Sequence, residues 1–221
     1  MNEKSRIKGI LFDFDGVLAK SMEAHYEAWK KAMSGYGIKL TEKEYYPLEG
    51  MNVFEIARKF CNENNIDESQ NTEIVQKKKS HFIENYKMIF YPGVETLIDD
   101  LKIRGIRMGI VTGGLREQLD KIVPQQFLQK FEVIITSEKG IRSKPSPEIY
   151  LRGLEELKLN PEECLVVENA PLGIKSAKEA GIFCIAIAST VSKDKLIAAD
   201  EVVNSFSQLR KTKLGTIFQE L

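Results

Sequence analysis

The chain has 221 residues, a length that suits one sizeable domain or one core with a small insert. Hydrophobic residues make up 43% and charged residues 29%, near ordinary globular values, which argues against a disordered or membrane-embedded class. The 32 basic and 32 acidic residues cancel and no basic block exceeds Lys77-Lys78-Lys79, so a nucleic-acid groove is not expected.

The first nine residues are charged and lack the apolar run of a signal peptide. Residues 7–12 are apolar on successive positions and predict a strand covered on both faces. That strand runs into Asp13-Phe14-Asp15-Gly16. From 19 to 89 no strand pattern is found. Tyr26, Trp29, Met33 and Tyr36 form one helical stripe. Val53, Ile56, Ala57 and Phe60 form a second, with Asn52 and Glu55 as a capping pair. Val75, Lys79, Phe82 and Tyr86 form a third. Helices are then predicted over 94–104, 115–123, 147–157 and 171–180, alternating with strands over 107–111, 132–135, 164–167 and 183–187. Gly105, Gly181, Pro124 and Pro161 punctuate the helix ends. Strands alternating with helices imply a parallel sheet covered on both sides, an α/β class. The apolar run 182–188 is too short to span a bilayer. Cys61, Cys164 and Cys184 are odd in number and scattered, which favours a reducing cytoplasm over a disulfide framework. His25 and His81 lie near no cysteine, so no zinc ligand set is visible.

Four polar clusters follow these strands or open the connecting loops. Asp13 and Asp15 are two carboxylates at a strand's carboxyl end, where they repel unless a cation or proton lies between them. Thr112-Gly113-Gly114 places a hydroxyl and two glycines before a helix start, a seat for phosphate. Lys144 sits in Ser143-Lys144-Pro145-Ser146-Pro147, held extended by the following proline. Glu168-Asn169 follows the fourth strand. Each alone has an ordinary reading as a turn, a cap or a solvated loop. Together they supply the oxygens, hydroxyl and lysine that suit Mg²⁺ and a phosphoryl group.

On these residues, in this order, the chain resembles the haloacid dehalogenase superfamily, in the branch of β-phosphoglucomutases and small-metabolite phosphatases. The resemblance implies a Rossmann-like core from residues 1–18 and 90–221, with 19–89 as an inserted all-helical cap. It implies that Asp13 attacks phosphorus and that Asp15 acts first as acid and then as base. Thr112, with the amides of Gly113 and Gly114, would hold phosphoryl oxygens, and Lys144 would neutralise charge. Asp13, the Asp15 carbonyl, Glu168 and Asn169 would hold Mg²⁺. The family commonly has aspartate where this chain has Asn169, which implies weaker metal affinity. An acid at position 15 favours phosphate esters over dehalogenation.

Within the cap, His25 resembles a histidine of the mutases, and it also suits a boundary residue packed on Trp29. Lys79, alone of its three neighbours, falls on the apolar stripe and is expected to face the site, with Lys78 and His81 on the polar face. Val53 stands where mutases carry an arginine for a second phosphate, so a phosphatase is favoured over a mutase. A silent phosphometabolite-binding module is the third reading. The expected partner is a small phosphorylated metabolite, with no nucleic acid or membrane, and the chain is expected to be a monomer or weak dimer.

Overall fold

A computed structural model of the chain describes residues 7–137 and 141–219. Strand β1 (Gly9–Phe12) is followed by four helices, α1 (Met22–Ser34), α2 (Glu42–Tyr45), α3 (Val53–Glu63) and α4 (Asn71–Asn85). The chain then alternates: α5 (Val94–Ile103), β2 (Arg107–Thr112), α6 (Arg116–Ile122), α7 (Gln125–Leu128), β3 (Val133–Thr136), α8 (Glu148–Leu157), β4 (Cys164–Glu168), α9 (Pro171–Glu179), β5 (Phe183–Ile187) and β6 (Glu201–Val203). The six strands form one parallel sheet in the order β3-β2-β1-β4-β5-β6.

The two-residue period of a strand divides the core. Ile10, Phe12, Ile110, Leu165 and Val167 point to the face covered by α5 and by Leu119 and Phe127 of α6 and α7. Leu11, Val111, Val166 and Cys184 point to the other face, against Ile149, Tyr150 and Leu154 of α8 and Ile174 of α9. Both faces are dry, so the strands are apolar throughout, as the sequence pattern requires. Winding reverses at β1, whose neighbours are β2 and β4, and a crevice opens there beyond the strands' carboxyl ends.

None of the six strands is drawn from 19–89. Those residues form their own apolar cluster around Trp29, Met33, Ile56, Phe60 and Ile74. It sits over the crevice, tied to the core by Asn52 Nδ2 donating to the Ser137 carbonyl at 2.7 Å and Ser143 Oγ donating to Glu55 Oε2 at 2.6 Å.

Three local expectations differ from the structure, and one strand was not expected. Asn52 does cap α3 by accepting from the Phe54 amide at 2.8 Å, but Glu55 leaves the cap to reach Ser143. The third stripe is out of phase: α4 buries Ile74, Val75, Lys78 and Phe82, while Tyr86 lies past its end. Tyr36 likewise follows the end of α1. Strand β6 carried no signal, because three residues are too few to show a period.

Candidate active site

Asp13 leaves β1 with its amide bound to the Val167 carbonyl of β4 at 2.9 Å, which fixes it at the crevice. Its Oδ1 accepts from Lys144 Nζ at 2.5 Å. Lys144 is fully buried and also donates to Glu168 Oε1 at 2.7 Å and to the Val111 carbonyl at 3.2 Å. The ammonium is thus satisfied three ways, and the two carboxylates hold its pKa above the ordinary lysine value despite burial.

Asp13 itself is pushed well above the usual carboxylate range. Burial dominates, Lys144 opposes it, and the Glu168 and Asp15 charges add to it. One ammonium among three carboxylates leaves a deficit of positive charge.

Glu168 is placed differently from the metal role assigned to it by resemblance. Its Oε1 is shared by Lys144 and the Tyr150 hydroxyl, at 2.7 and 2.9 Å. Its Oε2 accepts the amides of Asn169 and Ala170, at 2.8 and 3.0 Å. Both oxygens are engaged inside the core, and the side chain is not on the wall of the crevice. Gly173 at the start of α9 leaves the space it fills: a Cβ there would lie 1.7 Å from Glu168 Oε1.

Thr112 ends β2, and its Oγ1 accepts from the Gly114 amide at 3.0 Å. Gly113 and Gly114 line the crevice beside Asp13 and Asp15. A Cβ on Gly113 would meet the Gly50 carbonyl at 2.6 Å, so helical unit and core meet backbone to backbone at the Thr112–Gly114 turn.

Asp15 Oδ1 accepts from Ser21 Oγ at 2.5 Å and from His25 Nε2 at 2.9 Å. A carboxylate only accepts, so Nε2 carries the proton, and Nδ1 is left to accept from Lys78 Nζ at 2.7 Å. The ring stacks on Phe82, with centroids 4.0 Å apart and planes 10° off parallel. Burial would raise Asp15, but the electrostatic pull and hydrogen bond of the His25 N–H, the Ser21 hydrogen bond and the Lys78 ammonium behind it outweigh burial and draw its pKa down to about 2. Burial, then the Lys78 charge, pushes His25 below its ordinary value. Burial also lowers Lys78 to about 8.

Lys79 does not enter the crevice, contrary to its expected role. Its ammonium pairs with Glu117 of α6 at 2.9 Å, outside the site. Lys78, assigned to the polar face, is 2% exposed and lines the crevice. The spacing Ile74, Lys78, Phe82 carried that information, since i, i+4, i+8 also marks one helix face. His81 contacts only Asn85 in the bonds it makes within α4. Glu49, between Leu48 and Gly50, carried no periodic signal, yet it is 3% exposed and lines the crevice.

The residues present fit Mg²⁺. Among the described residues no three His, Cys, Asp or Glu side chains are grouped as a closed metal cage. Mg²⁺ needs less, because it keeps waters and takes substrate phosphate with one or two carboxylates. Asp13, Asp15 and Asn169 line the crevice together and carry carboxylate, carbonyl and amide oxygens, all hard donors, and the excess of carboxylate charge around Asp13 suits a cation.

A family model described as "Haloacid dehalogenase-like hydrolase" matches residues 10–187, from the first strand to the fifth. The chain belongs to this family. It is 32% identical over 209 residues to hexitol phosphatase A of Escherichia coli (strain K12), covering 94% of this chain and 95% of that one. It is 29% identical over 180 residues to a phosphorylated carbohydrates phosphatase of Thermotoga maritima, covering 80% and 82%. The solved structure of a putative β-phosphoglucomutase from Bacteroides vulgatus overlays with a TM-score of 0.85 at 31% identity, covering 99% of this chain and 93% of that one. The chain is therefore a phosphoric monoester hydrolase of the β-phosphoglucomutase-like branch. Among the described residues no helix is long and apolar enough to cross a membrane.

Proposed function

We propose that the chain hydrolyses a small phosphorylated metabolite, a sugar or sugar-alcohol monophosphate, through a phosphoryl group carried on Asp13. The observation that carries this reading is the contact of Asp13 with Lys144 at the mouth of β1, one strand from the Thr112 seat. The named activities of the hexitol and carbohydrate phosphatases support the substrate class.

Asp13 is held by Lys144 on one oxygen and leaves the other for attack on phosphorus. The bond to the leaving oxygen breaks as that oxygen takes a proton from Asp15. Water then attacks the aspartyl-phosphate, Asp15 takes its proton, and Asp13 and inorganic phosphate are released. Thr112 and the amides of Gly113 and Gly114 orient the phosphoryl oxygens. With a pKa near 2, Asp15 is set in this arrangement as the base of the second half. Its acid role requires that substrate loosen its bonds to His25 and Ser21. Asp13, the Asp15 carbonyl and Asn169 would hold Mg²⁺, which when bound supplies positive charge opposite the phosphoryl oxygens.

Residues 19–89 act as the cap in this reading, closing over residues 1–18 and 90–221. Its wall offers Trp29, Tyr45, Val53 and Ile56 to the leaving group, with Lys78 as the lysine among the lining residues. A mutase must anchor a second phosphate, for which an arginine fork is suited and Val53 is not. The test is phosphate release from a panel of hexitol, hexose and pentose monophosphates with Mg²⁺, with Asp13→Asn as control. Conversion of β-glucose 1-phosphate to glucose 6-phosphate, with little free phosphate, would overturn the phosphatase reading.

A further inference from the structure

Among the described residues, Glu49 is the one crevice carboxylate that the proposed reaction does not use. It follows the 3₁₀ turn Tyr46–Leu48 in the cap and is 3% exposed. Its Oε2 accepts from Thr190 Oγ1 at 2.9 Å and from Asn169 Nδ2 at 3.2 Å. Asn169 Nδ2 also donates to Thr190 Oγ1 at 2.9 Å. The triangle has a fixed sense: the threonine hydroxyl gives its hydrogen to Glu49, so it can only accept from the amide. Both amide hydrogens are then spent on the Glu49–Thr190 side, and the planar amide must turn its oxygen the other way. Glu49 Oε1 is buried and has no partner. A buried acceptor left unmade is costly, and Glu49 lines the crevice together with Asp13, Asp15 and Asn169.

We propose that Glu49 is a cap-borne ligand of the divalent cation, supplying the negative charge that Asn169 lacks. The charge count supports it. Glu168 is engaged on both oxygens by Lys144, Tyr150 and two amides. Asn169 is neutral. Of the core carboxylates lining the crevice, Asp13 is shared between Lys144, phosphorus and the cation, and Asp15 is kept for proton transfer, so Glu49 Oε1 is the carboxylate oxygen that no other task claims. Two carboxylates with amide and carbonyl oxygens make an ordinary Mg²⁺ donor set. Because Asn169 and Asp13 belong to the sheet and Glu49 to the cap, the cation joins the two units. The Glu49 contact to Asn169 also holds the amide in its ligating orientation.

The proposal rests on a divalent cation binding at this site, so the test separates the two. Mn²⁺ alone is titrated into the substrate-free protein and free Mn²⁺ is read by electron paramagnetic resonance, with melting in EDTA as the fold control. Wild type that binds no Mn²⁺ would overturn both the cation site and the proposal. Glu49→Gln should weaken Mn²⁺ binding tenfold or more, whereas equal affinity within twofold would overturn the role of Glu49 alone. In the Glu49→Gln background, Asn169→Asp should recover most of the loss by returning the charge to the core. A Glu49 that served only to position the amide would not be rescued in this way. Should Glu49→Gln fail to fold, Thr190→Val serves instead: it keeps every charge, frees Glu49 from its hydroxyl donor, and should weaken Mn²⁺ binding about threefold. No change in that variant would then overturn the proposal.

Discussion

At the scale of the residue, Lys78 and Lys79 show how little separates a buried ammonium from a surface pair. They are neighbours on α4, yet one meets His25 inside the crevice and the other meets Glu117 on the core's surface. Substituting Lys78 with Met should raise KM and shift the pH profile of turnover, since His25 loses a donor that orients it on Asp15. Lys79→Met removes a pair with a largely exposed partner and should change stability by no more than about 1 kcal/mol. Lys78 also gives a stability signature with a definite sign. Its folded pKa of about 8 lies below the ordinary lysine value, so between those values the unfolded chain binds the extra proton. The cost of burying it is full below pH 8 and fades as pH rises through 8 towards 10.5. Lys78→Met should therefore stabilise the fold at pH 7, by an amount on the order of 3 kcal/mol, and lose that advantage by pH 10.5. Melting temperatures of the two proteins across that range check it. Asp13→Asn leaves Lys144 an oxygen acceptor but no nucleophile, and should lower kcat by about 10³-fold or more, read as released phosphate.

At the scale of the element, the strands were legible because both sheet faces are dry and apolar runs follow from that. Helix α3 was legible for another reason: Val53, Ile56, Ala57 and Phe60 face one cluster, and Asn52 caps the start. Asn52→Ala should cost about 1 to 2 kcal/mol, because it removes both the cap and the bond to the Ser137 carbonyl, as thermal melting would show. Helix α4 was misphased because the buried Lys78 reads as polar, while Lys79 and a tyrosine beyond the helix end complete an apparent stripe. Helix α9 depends on a space rather than a pattern. Gly173→Ala puts a methyl group into the Glu168 carboxylate, which can move only by releasing Lys144 or Tyr150. The expected result is a loss of about 3 kcal/mol or more in stability together with a marked fall in kcat, measured by melting and phosphate release.

At the scale of the whole molecule, the crevice exists only where two units meet. Glu55 with Ser143, Asn52 with Ser137 and Lys79 with Glu117 hold the helical unit over the sheet. Removing two of these ties in Glu55→Ala/Lys79→Met should leave the fold intact and raise KM about threefold to tenfold, since each favours the closed arrangement by about 1 kcal/mol. Steady-state kinetics beside a melting curve would check both halves of that statement. The sequence by itself determined the alternation of strand and helix, and the positions of Asp13, Asp15, Thr112 and Glu168–Asn169 at strand ends, with Lys144 in the loop between β3 and α8. It could do so for the strand-end residues because each lies within three residues of an apolar run whose period is local, and for Lys144 because the flanking prolines mark its loop. The tertiary structure decided which lysine of Lys77-Lys78-Lys79 enters the crevice, that Glu168 turns inward to Lys144 and Tyr150, and that Glu49 reaches Asn169 from 120 residues away. Those outcomes depend on which surfaces are pressed together across the crevice, and no period within a single segment records that.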